Sequence, residues 1–139
     1  MNLIKLANQL KEHEGFRGYP YVCTAGKTTL GYGRNIQDKG ITKEEAAYML
    51  HNDMDECIID LSQRVFPEQF TDFPDGIQRA LTNMRFQLGH TGFRKFKKMI
   101  TAFRRQNLTE AVKQMKDSRW FYQVPNRAND LIQIVEEYL

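Results

Sequence analysis

The spacing of apolar residues predicts helices over most of this chain. Apolar side chains recur every three or four positions, the period of one face of a helix. Residues 2 to 14 and 42 to 65 each carry such a stripe, and the pattern stays helical from residue 75 onward. Residues 16 to 36 differ, because five of the nine glycines fall between positions 15 and 33 among Tyr, Val and Thr. That mixture indicates short strands joined by tight turns.

These elements predict an α+β fold in one domain covering residues 1 to 139. We expect a small antiparallel sheet lobe over residues 16 to 36 and a larger helical lobe over residues 66 to 139. A long helix over residues 42 to 65 would join the lobes, leaving a cleft between them for an extended polymer. Thr42 and Glu45 have the spacing of a capping box at the start of that helix.

Composition and charge narrow the class of protein only slightly. The chain has 139 residues, 41% of them hydrophobic and 27% charged, as is ordinary for a globular domain. A formal charge of +3 suits an acidic polymer as partner, and nucleic acid less well. Two cysteines, Cys23 and Cys57, do not make a disulfide scaffold. The apolar neighbours of Cys57 predict a core position for it.

Glu14 is the first candidate for chemistry. Leu3, Ala7 and Leu10 form the apolar face of the first predicted helix, and the same face reaches Glu14 four residues later. Gly15 is a natural helix end. Burial and the negative end of the helix dipole would both favour a protonated carboxyl group there, as a general acid requires.

The spacing that follows Glu14 points to a family. Eight residues separate Glu14 from Cys23, and five more lead to Thr29 in the sequence Thr-Leu-Gly-Tyr-Gly. This segment resembles the catalytic region of the phage-type lysozymes, the muramidases of the T-even phage lysozyme family. Three further stretches resemble family segments in family order: residues 41 to 46, 83 to 92 and 118 to 128.

The resemblance implies a catalytic role for three residues. Glu14 would be the general acid, and Thr29 would hydrogen-bond the attacking water. Cys23 stands where many members have Asp, and as a thiolate it could act as nucleophile or help to orient the water. Arg127, in Pro-Asn-Arg-Ala, matches the family arginine that pairs with the acid.

The resemblance also implies two substrate contacts and one salt bridge. Phe86 and Gln87 match family residues that line the cleft beside the sugar. Arg34 replaces a family histidine whose partner lies at the position of Asp53, so an Arg34–Asp53 salt bridge is expected. The fold implied is lysozyme-like, with the N-terminal helix packed in the helical lobe.

The function implied is hydrolysis of the β-1,4 bond between N-acetylmuramic acid and N-acetylglucosamine in peptidoglycan. No metal or other cofactor is expected. We expect a monomer whose partner is the peptidoglycan substrate, with no nucleic-acid partner and no insertion into a membrane. The chain shows no signal peptide, so we expect synthesis in the host cytoplasm and action on the wall in the periplasm. A separate holin would then open the membrane.

Two other classes stay open. Cys23 could serve a cell-wall amidase or peptidase, which would require His13, His51 or His90 beside it. A non-catalytic binding module for the wall is the other alternative. Within that class, the basic residues between positions 94 and 105, interleaved with phenylalanines, could suggest nucleic acid. A solvated helix face over a core stripe explains that run better.

Overall fold

The computed structural model describes all 139 residues and divides them into two compact units. The first unit is Met1–Met49 and the second is Leu50–Leu139. The three strands lie in the first unit, and most of the helices lie in the second. The α+β prediction is confirmed. The description as one domain with the N-terminal helix in the helical lobe stays a prediction, and the division places that helix in the first unit.

The first unit contains a helix and a three-stranded antiparallel sheet. Helix α1, Leu3–Glu14, is capped by the Asn2 side chain and ends at Gly15. Three strands and a one-turn helix follow: β1 Arg17–Val22, β2 Thr28–Gly31, β3 Arg34–Asn35 and α2 Ile36–Lys39. The sheet order is β1-β2-β3.

The long helix begins at the predicted capping box. Helix α3 spans Lys43–Asp60, and the Thr42 hydroxyl accepts a hydrogen bond from the Glu45 N–H at 3.1 Å. The Glu45 carboxylate accepts in return from the Thr42 N–H at 2.8 Å. Both bonds satisfy N–H groups that a helix start leaves unpaired. The helix continues as a wider π-helical turn over Leu61–Val65.

The second unit is helical after α3. A short 3-10 turn, Phe70–Asp72, precedes α4 Asp75–Arg94, which is broken at Gly89. Gly89 has φ 76° and ψ 177°, a conformation that residues with a β-carbon rarely adopt. The remaining helices are α5 Lys97–Arg104, α6 Leu108–Lys116, α7 Arg119–Gln123 and α8 Pro125–Glu136. Asn107 caps α6, and Pro125 opens α8.

One hydrophobic core holds the second unit together. It contains the predicted stripes of α4, α5, α6 and α8, including Met84, Phe103 and Val135. The connector between α3 and α4 contributes to the same core, because Phe66, which is fully buried, and Phe73 belong to it. Their rings meet edge to face at 5.4 Å between centroids. The connector is therefore part of the packing and not a loose link.

The predicted apolar faces of α1 and of the first half of α3 are not buried. Helix α1 has no buried residue, and Leu3, Leu10 and Glu14 are exposed. The prediction that Glu14 lies on a buried stripe is therefore wrong. On α3 only the later positions, from Cys57 onward, are buried. Helical spacing shows that a face is apolar, but it does not show that another element covers it.

Arg34 forms a different salt bridge from the one expected. Its guanidinium donates to both carboxylate oxygens of Glu45, at 3.0 and 2.6 Å, and to the Gly40 carbonyl oxygen at 3.1 Å. The expected partner Asp53 lies eight residues further along α3. The prediction of an Arg34–Asp53 pair is wrong, because the capping carboxylate of Glu45 already occupies the guanidinium. The pair does join β3 to α3, as expected.

A buried ion cluster joins α3 to both parts of α4. The side chain of Asp60 is 2% exposed, and its carboxylate accepts from Arg85 Nε at 2.7 Å. Both terminal nitrogens of Arg94 also donate to it, at 2.9 and 2.7 Å. Arg94, followed by Arg85, holds the pKa of Asp60 well below its usual range against the opposing effect of burial. Since Arg85 precedes Gly89 and Arg94 follows it, the cluster fixes the break in α4.

We predict a large loss of stability for Asp60→Asn. The change leaves the buried Arg85 guanidinium without a counter-charge, which typically costs about 3–5 kcal/mol. Urea denaturation of the full chain measures it. Asp75→Asn is the matched control, because Asp75 forms an exposed pair with Arg79 at 2.7 Å, and such pairs contribute about 0–1 kcal/mol. Equal losses in the two variants would contradict the structural role of the cluster.

We also predict that Glu45 makes the stability of the first unit depend on acidity. Its bidentate partner Arg34, with the Thr42 N–H, lowers the pKa of Glu45 from 4.5 to about 2. A lowered pKa stabilises the folded state above 4.5, and this contribution is lost as the pH falls through about 2. Glu45→Gln should flatten that dependence, measured as amide exchange in α3. Glu44→Gln, in the same helical turn, should leave the dependence intact.

Candidate active site

The turn between β1 and β2 brings Cys23 and Thr29 together. The Cys23 N–H donates to the Lys27 carbonyl oxygen at 2.9 Å, and the Gly26 N–H donates to the Cys23 carbonyl oxygen at 2.9 Å. Tyr21 pairs with Thr29 across the strands. Since Cβ atoms alternate between the two faces of a strand, Cys23 and Thr29 share a face as diagonal neighbours. Thr29 is buried and Cys23 is partly exposed.

The surroundings of Cys23 favour its thiolate. Hydrogen bonds involving the Lys27 backbone, the Thr29 hydroxyl and the Ala25 backbone lower the pKa of the thiol, in that order. In the neutral state the Thr29 hydroxyl donates to the Lys27 carbonyl oxygen at 2.9 Å. No histidine is among the groups that lower the pKa of this thiol. The amidase alternative therefore gains no support from the surroundings of Cys23.

Glu14 lies against the second turn of the same sheet. Its Oε2 lies 2.6 Å, and its carboxyl carbon 3.0 Å, from the position that a β-carbon on Gly33 would occupy. Gly33 also has φ 70°, which favours glycine. Gly33 is the last residue of the Thr-Leu-Gly-Tyr-Gly segment, so this segment supplies both Thr29 and the surface beside the Glu14 carboxylate.

Aromatic contacts that the sequence analysis missed position the end of α1. The rings of Phe16 and Tyr32 lie 5.6 Å apart, and Lys11 Nζ lies 5.6 Å from the centre of the Tyr32 ring. Tyr32 is the neighbour of Gly33, so both contacts place the last turn of α1 at this turn. The tyrosine between two glycines in the Gly-Tyr-Gly sequence was the signal that could have predicted these contacts.

Within the second unit, Phe86 and Arg127 line one groove of about 560 Å³. Met54 and Ile58 of α3 form its apolar side, and Asn83 lies beside Arg127. The Arg127 Nε donates to the Asn83 side-chain oxygen at 3.0 Å. Phe86 is half exposed, so its ring is available to a ligand. The pairing of Arg127 with Glu14 stays a prediction.

Gln87 has a different environment from its neighbour Phe86. Its side-chain oxygen accepts a hydrogen bond from the indole N–H of the buried Trp120 at 2.8 Å. This bond orients the amide and leaves its NH₂ group as the donor available to a ligand. The predicted binding role of Gln87 is thus compatible with a fixed side chain, and it stays a prediction.

The comparisons identify the family. A family model for phage lysozymes matches residues 11–133. The match covers most of the chain, and the chain therefore belongs to the phage lysozyme family, as the sequence resemblance predicted. Membership supports a lysozyme-type hydrolase as the class of enzyme.

Individual relatives are distant. The chain is 28% identical over 95% of its length to the pre-baseplate central spike protein Gp5 of Enterobacteria phage T4. It is 38% identical over 45% of its length to probable T4-type lysozyme 1 of Dictyostelium discoideum, and 26% identical over 94% to probable T4-type lysozyme 2. The chain spans 28% of the spike protein, 37% of lysozyme 1 and 93% of lysozyme 2.

None of the helices combines the length and apolar character needed to cross a bilayer.

We predict that Thr29 tunes the thiol of Cys23. Thr29→Val removes one hydroxyl that favours the thiolate, so the pKa of Cys23 should rise toward its ordinary value of 9.0. The rate of iodoacetamide modification against pH, followed by mass spectrometry, measures this shift. Cys57 is an internal control, since burial raises the pKa of its thiol. An unchanged pH profile of Cys23 in the variant would contradict the prediction.

Proposed function

We propose that this protein is a muramidase that cleaves the β-1,4 bond between N-acetylmuramic acid and N-acetylglucosamine in peptidoglycan. Membership of the phage lysozyme family supports a glycosidase. One observation carries the finer assignment: the Glu14 carboxylate lies at the Gly33 turn of the same sheet whose other turn presents Cys23 and Thr29. A carboxyl group and a second reactive group are what glycosidic cleavage requires.

In this proposal Glu14 is the general acid. Its proton passes to the glycosidic oxygen as the bond to the anomeric carbon breaks, and the transition state resembles an oxocarbenium ion. The Gly33 turn leaves room for the carboxyl group, because no β-carbon occupies the space that Glu14 Oε2 approaches. A carboxyl group held there would be positioned for proton transfer to one oxygen of the substrate. Exposure leaves Glu14 accessible to a polymeric substrate.

Cys23 and Thr29 would act on the other side of the sugar. A thiolate could attack the anomeric carbon directly, or it could accept a hydrogen bond from the attacking water and orient it. Thr29 can serve either route, since its hydroxyl can donate to the thiolate or accept from the water. The lowered pKa of Cys23 supports both routes equally.

The groove of the second unit would bind sugar rings, with Gln87 contributing from beside it. In the groove, Phe86 presents apolar ring surface and Arg127 is oriented by Asn83. Gln87, outside the lining, presents amide hydrogens. Arg127 would then pair with the Glu14 carboxylate and hold it in place. These three residues combine an apolar surface with a few placed polar groups, which is the usual make-up of a ligand site.

The setting in which the enzyme acts is also part of the proposal. We infer action on the cell wall by a monomer, after a separate holin has opened the membrane. The similarity to the T4 central spike protein supports a second setting, in which a lysozyme of this family is one part of a virion.

The test of the acid is the release of new reducing ends from purified peptidoglycan. Glu14→Gln should lower this rate by about 10²–10⁴-fold, because a general acid contributes about that factor. Glu12→Gln is the matched control, since Glu12 is an exposed carboxylate on the same helix. It should retain wild-type activity. An equal loss of reducing-end release in both variants would contradict the assignment of Glu14 as the general acid.

The same assay separates the alternatives. Cys23→Ser keeps a hydroxyl in place of the thiol and should lower reducing-end release if the thiolate is the nucleophile. Free amino groups in place of reducing ends would support the thiol amidase. Binding to the wall with no product of either kind would support a non-catalytic module.

A further inference from the structure

The positive charge of this protein is concentrated in one part of the chain. Residues 76 to 109 carry eight of the 20 Lys and Arg residues and none of the 17 Asp and Glu residues. Six of the eight lie between positions 94 and 105, from the end of α4 through α5. The formal charge of +3 therefore understates the local field on this side of the second unit.

A cleft of about 270 Å³ lies within this basic region. Arg64 of the π-helical turn, Arg94 of α4, and Lys97 and Arg104 of α5 line it, together with Thr101. Arg64 and Lys97 are exposed, and Arg94 is partly exposed. None of these residues lines the groove that contains Phe86 and Arg127. The cleft is thus separate from the proposed sugar groove.

Charge in this cleft is only partly neutralised. Asp60 is the one carboxylate beside it, and it is already shared by Arg85 and Arg94 through hydrogen bonds. Arg64 approaches the same carboxylate only to 3.7 Å. One negative charge cannot balance three guanidinium groups, so positive charge remains at the mouth of the cleft.

Arg104 adds a cation that is positioned without a counter-charge. Its Nε and one terminal nitrogen donate to the Val65 carbonyl oxygen at 3.0 and 2.8 Å. No carboxylate of this unit forms an ion pair with Arg104 or with Lys97. A guanidinium fixed through a neutral carbonyl keeps its full charge and its remaining N–H donors for a ligand.

We propose that this cleft binds a phosphate group, carried by the phosphate esters of a soluble anionic polymer of the bacterial wall. Arginine forks match the oxygens of a phosphate, and the Thr101 hydroxyl adds a neutral donor. The proposal of a phosphate site is argued only from the residues of the cleft. The choice of a wall polymer as the molecule that carries the phosphate rests on the proposed function.

The cleft suits a soluble polymer better than a membrane or a nucleic acid. Its apolar lining residues, Val65 and Ile100, are buried and offer nothing to insert into a bilayer. Of the aromatic residues among the basic ones, Phe93 and Phe103 are fully buried in the core. Phe96 is partly buried and packs edge to face on Trp120, with 6.2 Å between the ring centroids. None of the three is a freely exposed ring for stacking on bases, which is the main sequence-tolerant contact to single strands.

An NMR titration of the full chain with inorganic phosphate, at constant ionic strength against chloride, tests the phosphate site. We expect saturable shifts confined to amides at Val65, Arg94 and Thr101. The double variant Arg64→Gln with Lys97→Gln should weaken phosphate binding at least about tenfold, because two charge-assisted contacts are lost. Arg64 contacts Asp60 only at 3.7 Å, and Lys97 forms no ion pair, so folding should be retained.

Arg105→Gln is the matched control. It removes the same charge from a position that does not line the cleft, since Arg105 lines a neighbouring depression that shares Lys97 and Thr101 with the cleft but not Arg64, Arg94 or Arg104. It should leave phosphate affinity within about twofold. Equal weakening by Arg105→Gln, or shifts spread over the whole basic surface, would show a general charge effect and overturn the site.

The source of the phosphate is tested by competition. Soluble poly(glycerol phosphate) should displace inorganic phosphate from wild type but not bind the double variant at the same salt concentration. Tighter binding of phosphatidylglycerol vesicles or of single-stranded DNA would overturn the assignment to a wall polymer. The double variant should still release reducing ends from phosphate-free peptidoglycan. The two proposals can therefore fail separately. If the protein does not bind phosphate but still cleaves peptidoglycan, only the phosphate site is overturned. If it binds phosphate but does not cleave peptidoglycan, only the proposed function is overturned.

Discussion

The second unit depends on one buried carboxylate. Asp60 receives hydrogen bonds from a guanidinium on each side of the break in α4, so one group fixes both segments of that helix against α3. Part of the groove that contains Phe86 and Arg127 is lined by the first of those segments, which also carries Arg85. The same carboxylate leaves positive charge unbalanced at the surface. One structural ion cluster thus supports a wall of this groove and contributes to the charge of the basic cleft.

The geometry of the first unit depends on the turns at the two ends of strand β2. One turn holds Cys23 near Thr29, and the other leaves room for Glu14 at Gly33. Few of these side chains are buried. Backbone hydrogen bonds and the conformations of glycines therefore carry more of the geometry here than apolar packing does.

Sequence reasoning succeeded where the cause was local. The capping box at Thr42 and the helix end at Gly15 depend on residues within one turn, and both are confirmed. It failed where a residue's partner was distant in sequence, and where burial of an apolar face depended on another element packing against it. Asp60 meets arginines 25 and 34 residues away, which no spacing rule reveals. The apolar spacing of α1 did not predict that its face would be exposed. The choice of Glu45 by Arg34 likewise joins residues 11 positions apart on different elements, a proximity that only the fold displays.

Gly33 is harder to replace by another residue than the other glycine near Glu14, Gly15. At Gly15 a β-carbon would meet no other atom, so only the backbone angle of 69° opposes substitution there. At Gly33 the backbone angle of 70° and the space taken by the Glu14 carboxylate oppose it together. A substitution that tolerates the backbone angle still has to displace the Glu14 carboxylate. Variation at position 33 is therefore coupled to the position of the Glu14 side chain, although the two residues lie on different elements.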